Sequence, residues 1–562
     1  MTSEKKYDVL VVGSGATGGF AAKELTENGL DVIVLEAGPL LDESSFHKKK
    51  SSMKGIGSMP RIIAGLTGQH IQARASFYSP DQRFLFVNDL KNPYSYPSDD
   101  FFLWIRSRNV GGRFMSWGRV ALRMSDYAFK SKKYEGVGED WPISYEDIAP
   151  YYDKVEDFLG IIGSKDNIPF LPDGKYIKTA GYSSFEKEFK ETVESKWPER
   201  KVIPWRYVSE NATPVDKNNN RISSPIAAAL ATGNLELRTN AIVTKLNIDP
   251  VSGKATGVEY IDAKTKKINN VSANVVVLCA STIESIRILF NSANTKHPDG
   301  VGNSSDLLGR YFMDQVPSLV FGTVPHRTGW ELVDGTSAEN NNGGIYIPRF
   351  QNLDKPTNTE FKGGFNIQGI IGRGYVPDNH PAQYGFMGHG EMLPYYENRI
   401  TINPKRKDAW GIPVPYINIR MGENERNLVR CQLDTTKEML FEAGYSIDFA
   451  MSILGLDDEN NILPNANWFE RFLFRKSYKK SMALGAAIHE CGGAKMGEDP
   501  NNSVLNPYNQ CWDAKNIFVT DSSCFPTNGS CGPTLTTMAI TMRACEYIAN
   551  EYGKSSELSG KD

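Results

Sequence analysis

His489 is the residue best suited to acid–base chemistry in this chain of 562 residues. It lies in a glycine-rich stretch, Ala487-Ile-His-Glu-Cys-Gly-Gly-Ala-Lys-Met-Gly, and is one of seven histidines. A neutral imidazole can accept the proton of a hydroxyl group while a hydride leaves the same carbon, which is the chemistry of alcohol oxidation. Histidine is more often structural than catalytic, so this role for His489 depends on the elements beside it.

A second C-terminal segment predicts a helix whose start faces a ligand. The strand Ile517–Val519 precedes Asp521, a loop of small residues follows, and Pro533 suits the first position of a helix. Five residues give that helix one apolar face: Leu535, Met538, Ala539, Met542 and Cys545. The free N–H groups and positive dipole of such a helix start stabilise a reduced flavin, which is anionic around N1 and O2. A nicotinamide does not need this charge, so the segment favours a flavin.

The N-terminal segment predicts a strand–helix–strand unit that binds a dinucleotide. The apolar strand Tyr7–Val12 leads through a glycine-rich turn into a helix from about Thr17 to Asn28. A second strand, Asp31–Leu35, ends at Glu36, whose carboxylate can accept hydrogen bonds from a ribose hydroxyl. An acid at this position favours an unphosphorylated ribose, and therefore FAD or NAD rather than NADP.

Three glycines of this turn have separate physical roles. Gly13 permits the tight turn, Gly15 allows the backbone to approach a pyrophosphate, and Gly18 allows the helix to pack closely on the strand. The helix start then directs its N–H groups at the phosphates. The agreement of strand, glycines, helix and terminal acid makes this a specific signal.

The rest of the chain predicts an α/β fold with a second, different sheet. Ser144 and Asp147 predict a capped helix start, and Asn274–Leu278 predicts another buried strand before the helix Ser281–Asn291. From about residue 317 to 417, alternating strands with frequent glycine and proline predict a mostly antiparallel sheet that covers a substrate.

Composition excludes several classes of function. A net charge of -3 gives no reason to expect a nucleic-acid partner, and the longest apolar runs are too short to span a membrane. Seven scattered cysteines predict neither a disulfide framework nor a metal site. The N-terminus resembles no secretory signal, so a cytoplasmic protein is expected, or a periplasmic one exported with a signal-bearing partner.

Taken together, these motifs resemble the glucose–methanol–choline (GMC) oxidoreductases over nearly the whole chain. The elements occur in the order of that family: the Gly13–Gly18 turn, the Gly111-Gly112 loop, the Ala280-Ser-Thr-Ile-Glu-Ser stretch, His489 and Asp521. The resemblance implies an FAD-binding Rossmann-like domain, a substrate domain, and His489 as the active-site base. It implies that FAD contacts Gly13, Gly15, Ala16, Thr17, Gly18, Glu36, Ala37, Gly111, Gly112, Ser116, Trp117, Ala280, Asp521, Pro533 and Thr534.

Within the family, the Trp141-Pro-Ile-Ser-Tyr and Pro533-Thr-Leu-Thr segments look most similar to the sugar-oxidising branch. The chain length and the His489-Glu490 pair favour a glucoside 3-dehydrogenase catalytic subunit. Such an enzyme transfers a hydride from a secondary sugar hydroxyl, at C3, to flavin N5 and forms a 3-keto sugar. The alternatives are a pyranose or other alcohol oxidase, a gluconate-type dehydrogenase, and a non-enzymatic subunit that binds flavin or NAD.

Three departures from the family pattern change the expectations for the site. Ser116, and no histidine, precedes Trp117, so FAD is expected to be noncovalent. Gly532 stands where many relatives carry a second catalytic Asn or His, which leaves Asn528 and Glu490 as candidates for that role. No cysteine cluster suits an iron–sulfur centre, so electrons should pass directly from the flavin to cytochrome c or another acceptor. A small partner subunit is also expected.

The order of the motifs predicts a chain that passes between two domains. Residues 1–165, 226–315 and 471–562 are assigned to the FAD-binding domain, and residues 316–470 to the substrate domain. Residues 166–225 are assigned to the substrate domain or to a link between the two.

Overall fold

The structure is a computed structural model that describes residues 5–46, 59–209, 212–333, 342–353, 357–457, 462–464, 466–478 and 481–553. Its strands are β1 (Lys6–Val12), β2 (Val32–Leu35), β3 (Leu41–Asp42), β4 (Ile161–Ile162), β5 (Ile203–Pro204), β6 (Tyr207–Val208), β7 (Asn220–Arg221), β8 (Leu235–Arg238), β9 (Ala241–Ile248), β10 (Ala255–Asp262), β11 (Ile268–Leu278), β12 (Val316–Thr328), β13 (Ile345–Ile347), β14 (Phe365–Ile371), β15 (Pro381–Gly390), β16 (Arg399–Lys407), β17 (Pro413–Asn418), β18 (Ser446–Ser452), β19 (Gly455–Asp457) and β20 (Ile517–Val519). Its α-helices are α1 (Ala16–Glu27), α2 (Met59–Ala64), α3 (Asp126–Phe129), α4 (Ser131–Glu135), α5 (Tyr145–Leu159), α6 (Ser184–Lys196), α7 (Ser224–Ala231), α8 (Thr282–Asn291), α9 (Glu423–Glu442), α10 (Trp468–Tyr478) and α11 (Thr534–Tyr552).

The first sheet carries the predicted nucleotide-binding unit. Its strand order is β8-β2-β1-β11-β10-β9, and β20 pairs with the carboxyl end of β11. Strands β8, β2, β1, β11 and β20 are parallel, whereas β10 and β9 form an antiparallel extension. Helix α1 packs on α7 and α11. Residues 9–12 of β1 are buried, as the apolar run predicted for a strand covered on both faces.

The second sheet is antiparallel and has the order β19-β18-β12-β15-β14-β13-β5. Helix α9 packs against β12, β15 and β18. The expected α/β fold with a second, mostly antiparallel sheet is therefore confirmed. Within the described part of the chain, no helix is long and apolar enough to cross a bilayer.

The two sheets draw strands from several of the predicted domain segments. Strand β5, from residues 166–225, joins the second sheet. The β16–β17 hairpin belongs by position to residues 316–470, yet it packs on α8, which follows β11 of the first sheet. The segment that begins at residue 316 therefore contributes to both halves of the molecule.

At Gly13 and Gly18, backbone atoms of neighbouring segments come too close to leave room for a side chain. A Cβ on Gly18 would lie 1.9 Å from the carbonyl oxygen of Gly13, because the first turn of α1 packs directly on the backbone that follows β1. Gly13 has φ +94°, and a Cβ there would lie 2.6 Å from the carbonyl oxygen of Cys279. A Cβ on Gly15, by contrast, would meet no atom within 4 Å.

We predict that Gly18→Ala destabilises the fold of the cofactor-free protein, whereas Gly15→Ala does not. Gly18→Ala forces α1 away from β1 and should destabilise the protein by about 1–3 kcal/mol, as overpacking does. Gly15→Ala should leave the melting temperature of the cofactor-free protein unchanged, because its methyl group meets no protein atom. Thermal unfolding of both cofactor-free variants checks this, and equal melting temperatures for the two would contradict it.

Candidate active site

A cleft of about 580 Å³ lies at the carboxyl ends of the parallel strands of the first sheet. The residues that follow β1, β2, β11 and β20 line it, among them Gly13, Glu36, Ala280 and Asp521. Ligands of open α/β sheets bind in this kind of crevice. The second sheet supplies the opposite wall through side chains of β13, β14 and β15: Tyr346, Asn366, Gln368, Met387 and His389.

The nucleotide end of the cleft is organised around the buried carboxylate of Glu36. Its Oε2 atom accepts hydrogen bonds from the backbone N–H and the hydroxyl of Ser14, at 3.0 and 2.6 Å, and its Oε1 accepts from the N–H of Gly38 at 2.8 Å. The Ser14 hydroxyl in turn accepts from the N–H of Gly111 at 3.0 Å. Burial raises the pKa of Glu36, and these donors oppose that rise. The chain thus holds the first turn and the Gly111-Gly112 loop together through one carboxylate.

Five polar atoms of cleft-lining residues have no hydrogen-bond partner among the described residues: the acceptor Glu490 Oε1 and four potential donors, Arg106 Nε, Ser107 Oγ, Arg108 Nη1 and Trp117 Nε1. Unpaired buried polar groups cost about 1–3 kcal/mol each, so such atoms indicate a bound group that pairs with them. FAD carries phosphate, ribose and ring-carbonyl oxygens that can accept from these donors. Together with the open space above Gly15 and the start of α1, the residues present fit FAD.

Asp521 lies two residues after the end of β20 and caps the short 3-10 helix Ser522–Cys524, in the loop before α11. Its Oδ1 atom accepts from the backbone N–H and the hydroxyl of Ser523, at 3.1 and 2.6 Å, and Ser285 of α8 donates to Oδ2. Burial raises the pKa of this carboxyl. Pro533 caps α11, and both Pro533 and Thr534 line the cleft, so the helix start faces it as predicted.

The imidazole of His489 is held by the amide of Gln315. Nδ1 of His489 lies 2.6 Å from Oε1 of Gln315, and the amide nitrogen donates to the carbonyl oxygens of Gly529 and Cys531, at 2.8 and 3.0 Å. Two carbonyl acceptors fix which end of the amide is the nitrogen, so Oε1 must accept from Nδ1–H. The other ring nitrogen, Nε2, is therefore unprotonated and able to act as a base.

The backbone beside His489 is fixed by Asp314. One carboxylate oxygen accepts from the N–H of His489 at 3.0 Å, and the other accepts from the N–H of Gly485 at 2.7 Å. Ile488 has φ +60°, an unfavourable conformation for a β-branched residue. Strained backbone of this kind is concentrated at functional sites. Burial and the charge of Glu490 raise the pKa of Asp314 to about 7.

Both histidines of the cleft are held in the neutral state. Burial, followed by the neighbouring His389 and Arg113, lowers the pKa of His489 well below its usual value. Burial alone lowers the pKa of His389 to about 4. The ring centroids of His389 and His489 are 5.2 Å apart, with an interplanar angle of 33°. Two neutral imidazoles therefore face one part of the cleft.

Glu490, one of the two candidates for a second catalytic group, is paired with a cation. Its Oε2 atom lies 2.7 Å from Nη1 of Arg113 in the turn after Gly112. Its backbone carbonyl oxygen accepts from the hydroxyl of Thr282 at 2.7 Å. The ion pair links the His489 loop to the Gly111-Gly112 loop, which indicates a positioning role.

Asn528, the other candidate, lies away from the cleft lining. Its amide nitrogen donates to the carbonyl oxygen of Asp314 at 3.1 Å, and its oxygen accepts from the N–H of Met392 at 3.3 Å. Both ends of the amide are engaged with buried backbone. These contacts give Asn528 a structural part, and its catalytic role stays a prediction.

The cleft brings together most of the residues predicted from the sequence. His489 and Glu490 line it with Gly13, Gly15, Ala16, Thr17, Glu36, Ala37, Gly112, Ser116, Trp117, Ala280, Asp521, Pro533 and Thr534. Gly18 and Gly111 lie behind it and act through backbone packing. Sequence reasoning missed Ser14, Arg106, Gln315 and His389. Of these, His389 carried a signal, since it is a histidine within a predicted strand.

Comparison with known proteins matches both ends of the chain to one family. Models of the N-terminal and C-terminal parts of GMC oxidoreductases match residues 7–315 and 394–541. The chain is 28% identical to a 2-methyl-1,2-propanediol dehydrogenase of Mycolicibacterium austroafricanum, over 98% of this chain and 96% of that protein. It is 25% identical to the fructose dehydrogenase large subunit of Gluconobacter japonicus, over 97% of this chain and 98% of that protein.

Two further similarities concern the reaction and the fold. The chain is 23% identical to a C-glycoside 3-oxidase of Arthrobacter globiformis, over 99% of this chain and 97% of that protein. The solved structure of a formate oxidase from Aspergillus oryzae superposes with a TM-score of 0.64 at 14% identity, covering 98% of this chain and 99% of that one. The latter similarity establishes a shared fold.

We predict that Gln315→Leu removes the hydrogen bond that fixes the tautomer of His489. Without the acceptor at Nδ1, the proton can move to Nε2 and the ring can rotate, so reduction of the bound flavin by an alcohol should slow by about 100-fold or more. Gln315→Glu retains an acceptor and should keep more of the rate. Stopped-flow absorbance under anaerobic conditions measures both. A Leu variant as fast as the wild type would show that the tautomer is set elsewhere.

The pH dependence of the reaction should reflect the lowered pKa of His489. Only the unprotonated ring accepts a proton, and burial favours that form, so the acidic limb of kcat/KM should have its midpoint below the unperturbed histidine value of about 6.5. The rate should therefore persist at pH 6. A profile measured with any alcohol substrate checks this, and an acidic limb centred at or above 6.5 would contradict it.

Proposed function

The chain belongs to the GMC oxidoreductase family, and we propose that it oxidises a secondary hydroxyl of a sugar or glycoside, at C3, with FAD as cofactor. The resemblance predicted from the motifs and the class of enzyme, an oxidoreductase acting on CH–OH groups, are both confirmed by the family matches. The family also indicates FAD as the cofactor. The substrate, the carbon and the role of each residue are the proposal.

The proposal rests on one observation: the imidazole of His489 lies at the cleft, and its Nε2 atom carries no proton. Nε2 and Cε1 lie 3.4 Å from the position that a Cβ on Gly532 would occupy, so the ring edge faces the start of α11. FAD, when bound, supplies the hydride acceptor. His489 accepts the hydroxyl proton at Nε2, while Gln315 holds the ring and stabilises the positive charge that forms at Nδ1–H.

The wall opposite His489 suits a ligand with several hydroxyl groups. The side-chain amide of Gln368 and the imidazole of His389 line the cleft and form no hydrogen bond to other described residues. Asn366 lies beside them and donates to the carbonyl oxygen of Ser530. Unpaired amide and imidazole groups can pair with hydroxyls by donating or accepting. A sugar ring presents such hydroxyls in a fixed arrangement.

Similarity to named relatives supports the substrate class and the carbon. The fructose dehydrogenase large subunit acts on a sugar by its name, and the C-glycoside 3-oxidase names position 3 of a glycoside. The word "subunit" in the first name is also the basis for proposing a small partner subunit here, with cytochrome c or another electron acceptor. We further propose noncovalent FAD, because Ser116 offers no imidazole for a flavin bond.

A short aliphatic diol is the second candidate substrate. The 2-methyl-1,2-propanediol dehydrogenase is similar to this chain over nearly its full length. Such a substrate would use the same proton acceptor, but it would leave the polar wall of the second sheet largely unoccupied. The two candidates therefore differ in which wall of the cleft binds the ligand.

The proposed function predicts that a glycoside bleaches the flavin and yields a 3-keto product. Anaerobic addition of methyl glucosides, fructose and 2-methyl-1,2-propanediol to the yellow protein should bleach the flavin with a glucoside and more slowly, or not at all, with the diol. Product analysis by NMR, with an artificial electron acceptor, should locate the ketone at C3. Bleaching by the diol alone would reject the sugar substrate. Hydrogen peroxide formation in air separates an oxidase from a dehydrogenase.

A further inference from the structure

We propose that His389, on the antiparallel sheet, is a second catalytic residue that donates a hydrogen bond to the same hydroxyl oxygen whose proton His489 accepts. This inference rests on the proposed alcohol oxidation but not on the identity of the alcohol. It gives the second sheet a direct part in the reaction. It also supplies the second polar group that many relatives place where this chain has Gly532.

The position of His389 within the second sheet is fixed on both sides. It lies on β15, which pairs with β12 and β14 at the centre of that sheet, and its partners in register are Pro317 and Asn366. The strand ends one residue later, at Gly390. A residue on a central strand has little freedom to move, so the ring can be held in a reactive geometry.

The ring of His389 is buried yet has no partner within the described part of the chain. The residue is 4% exposed, it lines the cleft, and no described residue forms a hydrogen bond with either ring nitrogen. An imidazole that forms no hydrogen bond with the protein is free to donate to, or accept from, a ligand in the cleft. The arrangement is understandable if a ligand in the cleft supplies the missing partner.

The two rings are close enough to share one oxygen atom. An oxygen hydrogen-bonded to a ring nitrogen lies roughly 4 Å from the centroid of that ring. The centroids of His389 and His489 are 5.2 Å apart, so a single oxygen can lie within hydrogen-bond distance of both rings. Because Gly532 has no side chain, no side-chain atom of that residue occupies the space beside Nε2 of His489, where a Cβ would lie 3.4 Å away.

The chemical roles of the two histidines differ although both are neutral. Gln315 fixes the tautomer of His489, so its Nε2 is the acceptor of the hydroxyl proton. A neutral imidazole also has one N–H donor. His389 uses that donor to stabilise the negative charge that grows on the oxygen as the proton leaves, and it neither gains nor loses a proton itself. A preorganised donor of this type contributes about 100-fold to 1000-fold in rate.

The test compares four variants of the FAD-loaded protein: His389→Leu, His389→Gln, His389→Leu with Gly532→Asn, and His326→Leu. His326 is a matched control, because it is an exposed histidine of the same sheet on β12. Asn at position 532 places an amide donor beside His489 from the other side, where a Cβ meets the ring at 3.4 Å. The rate of anaerobic flavin bleaching is measured with the alcohol that bleaches the wild type fastest, so failure on sugars rejects only the proposed substrate.

The second readout is the affinity for the purified ketone or aldehyde product of that alcohol, by calorimetry on the oxidised protein. We expect His389→Leu to slow bleaching by about 100-fold, as loss of one preorganised donor does, and to weaken product binding about 10-fold. FAD content and melting temperature should stay unchanged, His389→Gln should lie between Leu and wild type, and Gly532→Asn should recover at least a tenth of the lost rate.

Two outcomes overturn the proposal. In the first, His389→Leu bleaches within threefold of the wild type and of His326→Leu. In the second, both His389 variants lose rate in proportion to lost FAD or lost thermal stability, and Gly532→Asn recovers nothing. The second outcome would mean that the imidazole only fills space between the sheets.

Discussion

The hydrogen bond between Gln315 and His489 connects three parts of the chain that lie far apart in sequence. Gln315 directly precedes β12, its amide nitrogen donates to the loop before α11, and its oxygen accepts from the ring of the His489 loop. None of these segments could move without leaving a buried donor or acceptor unpaired, which costs about 1–3 kcal/mol. The same atoms therefore determine the tautomer of His489, the proposed base, and fix the position of its loop.

The two sheets have complementary tasks around this interaction. The first sheet places backbone N–H groups, Glu36 and the start of α11 along one side of the cleft, which is what a large anionic cofactor needs. The second sheet contributes His389, Gln368 and Asn366 from neighbouring strands, which suits a polar substrate. The Arg113–Glu490 ion pair holds the His489 loop against the Gly111-Gly112 loop, so the proposed base stays at the junction of the two sheets.

The parts of this arrangement that were predictable from sequence are those encoded locally. The β1–α1–β2 unit follows from apolar runs, three glycines and one acid within thirty residues, and the Ser144–Asp147 capping box was predicted by its spacing and is present. The partners of His489 were not predictable, because Asp314 and Gln315 are about 175 residues away and have no motif of their own. The packing of the β16–β17 hairpin on α8 was not predictable for the same reason, since these contacts are long-range.

Charge balance explains why the cleft keeps its titratable groups neutral before substrate binds. Burial lowers the pKa of His389 to about 4 and raises the pKa of Asp314 to about 7, so both are biased towards their uncharged forms. Glu490, the remaining carboxylate beside His489, is compensated by Arg113. When a proton reaches Nε2, the positive charge is shared with Nδ1–H, which donates to the Gln315 oxygen. Electrostatic interactions of this kind are stronger in a partly buried site than in water. Burial thus accounts for the low basicity of the resting histidine, and the oriented Gln315 dipole offsets part of that effect when the ring becomes protonated.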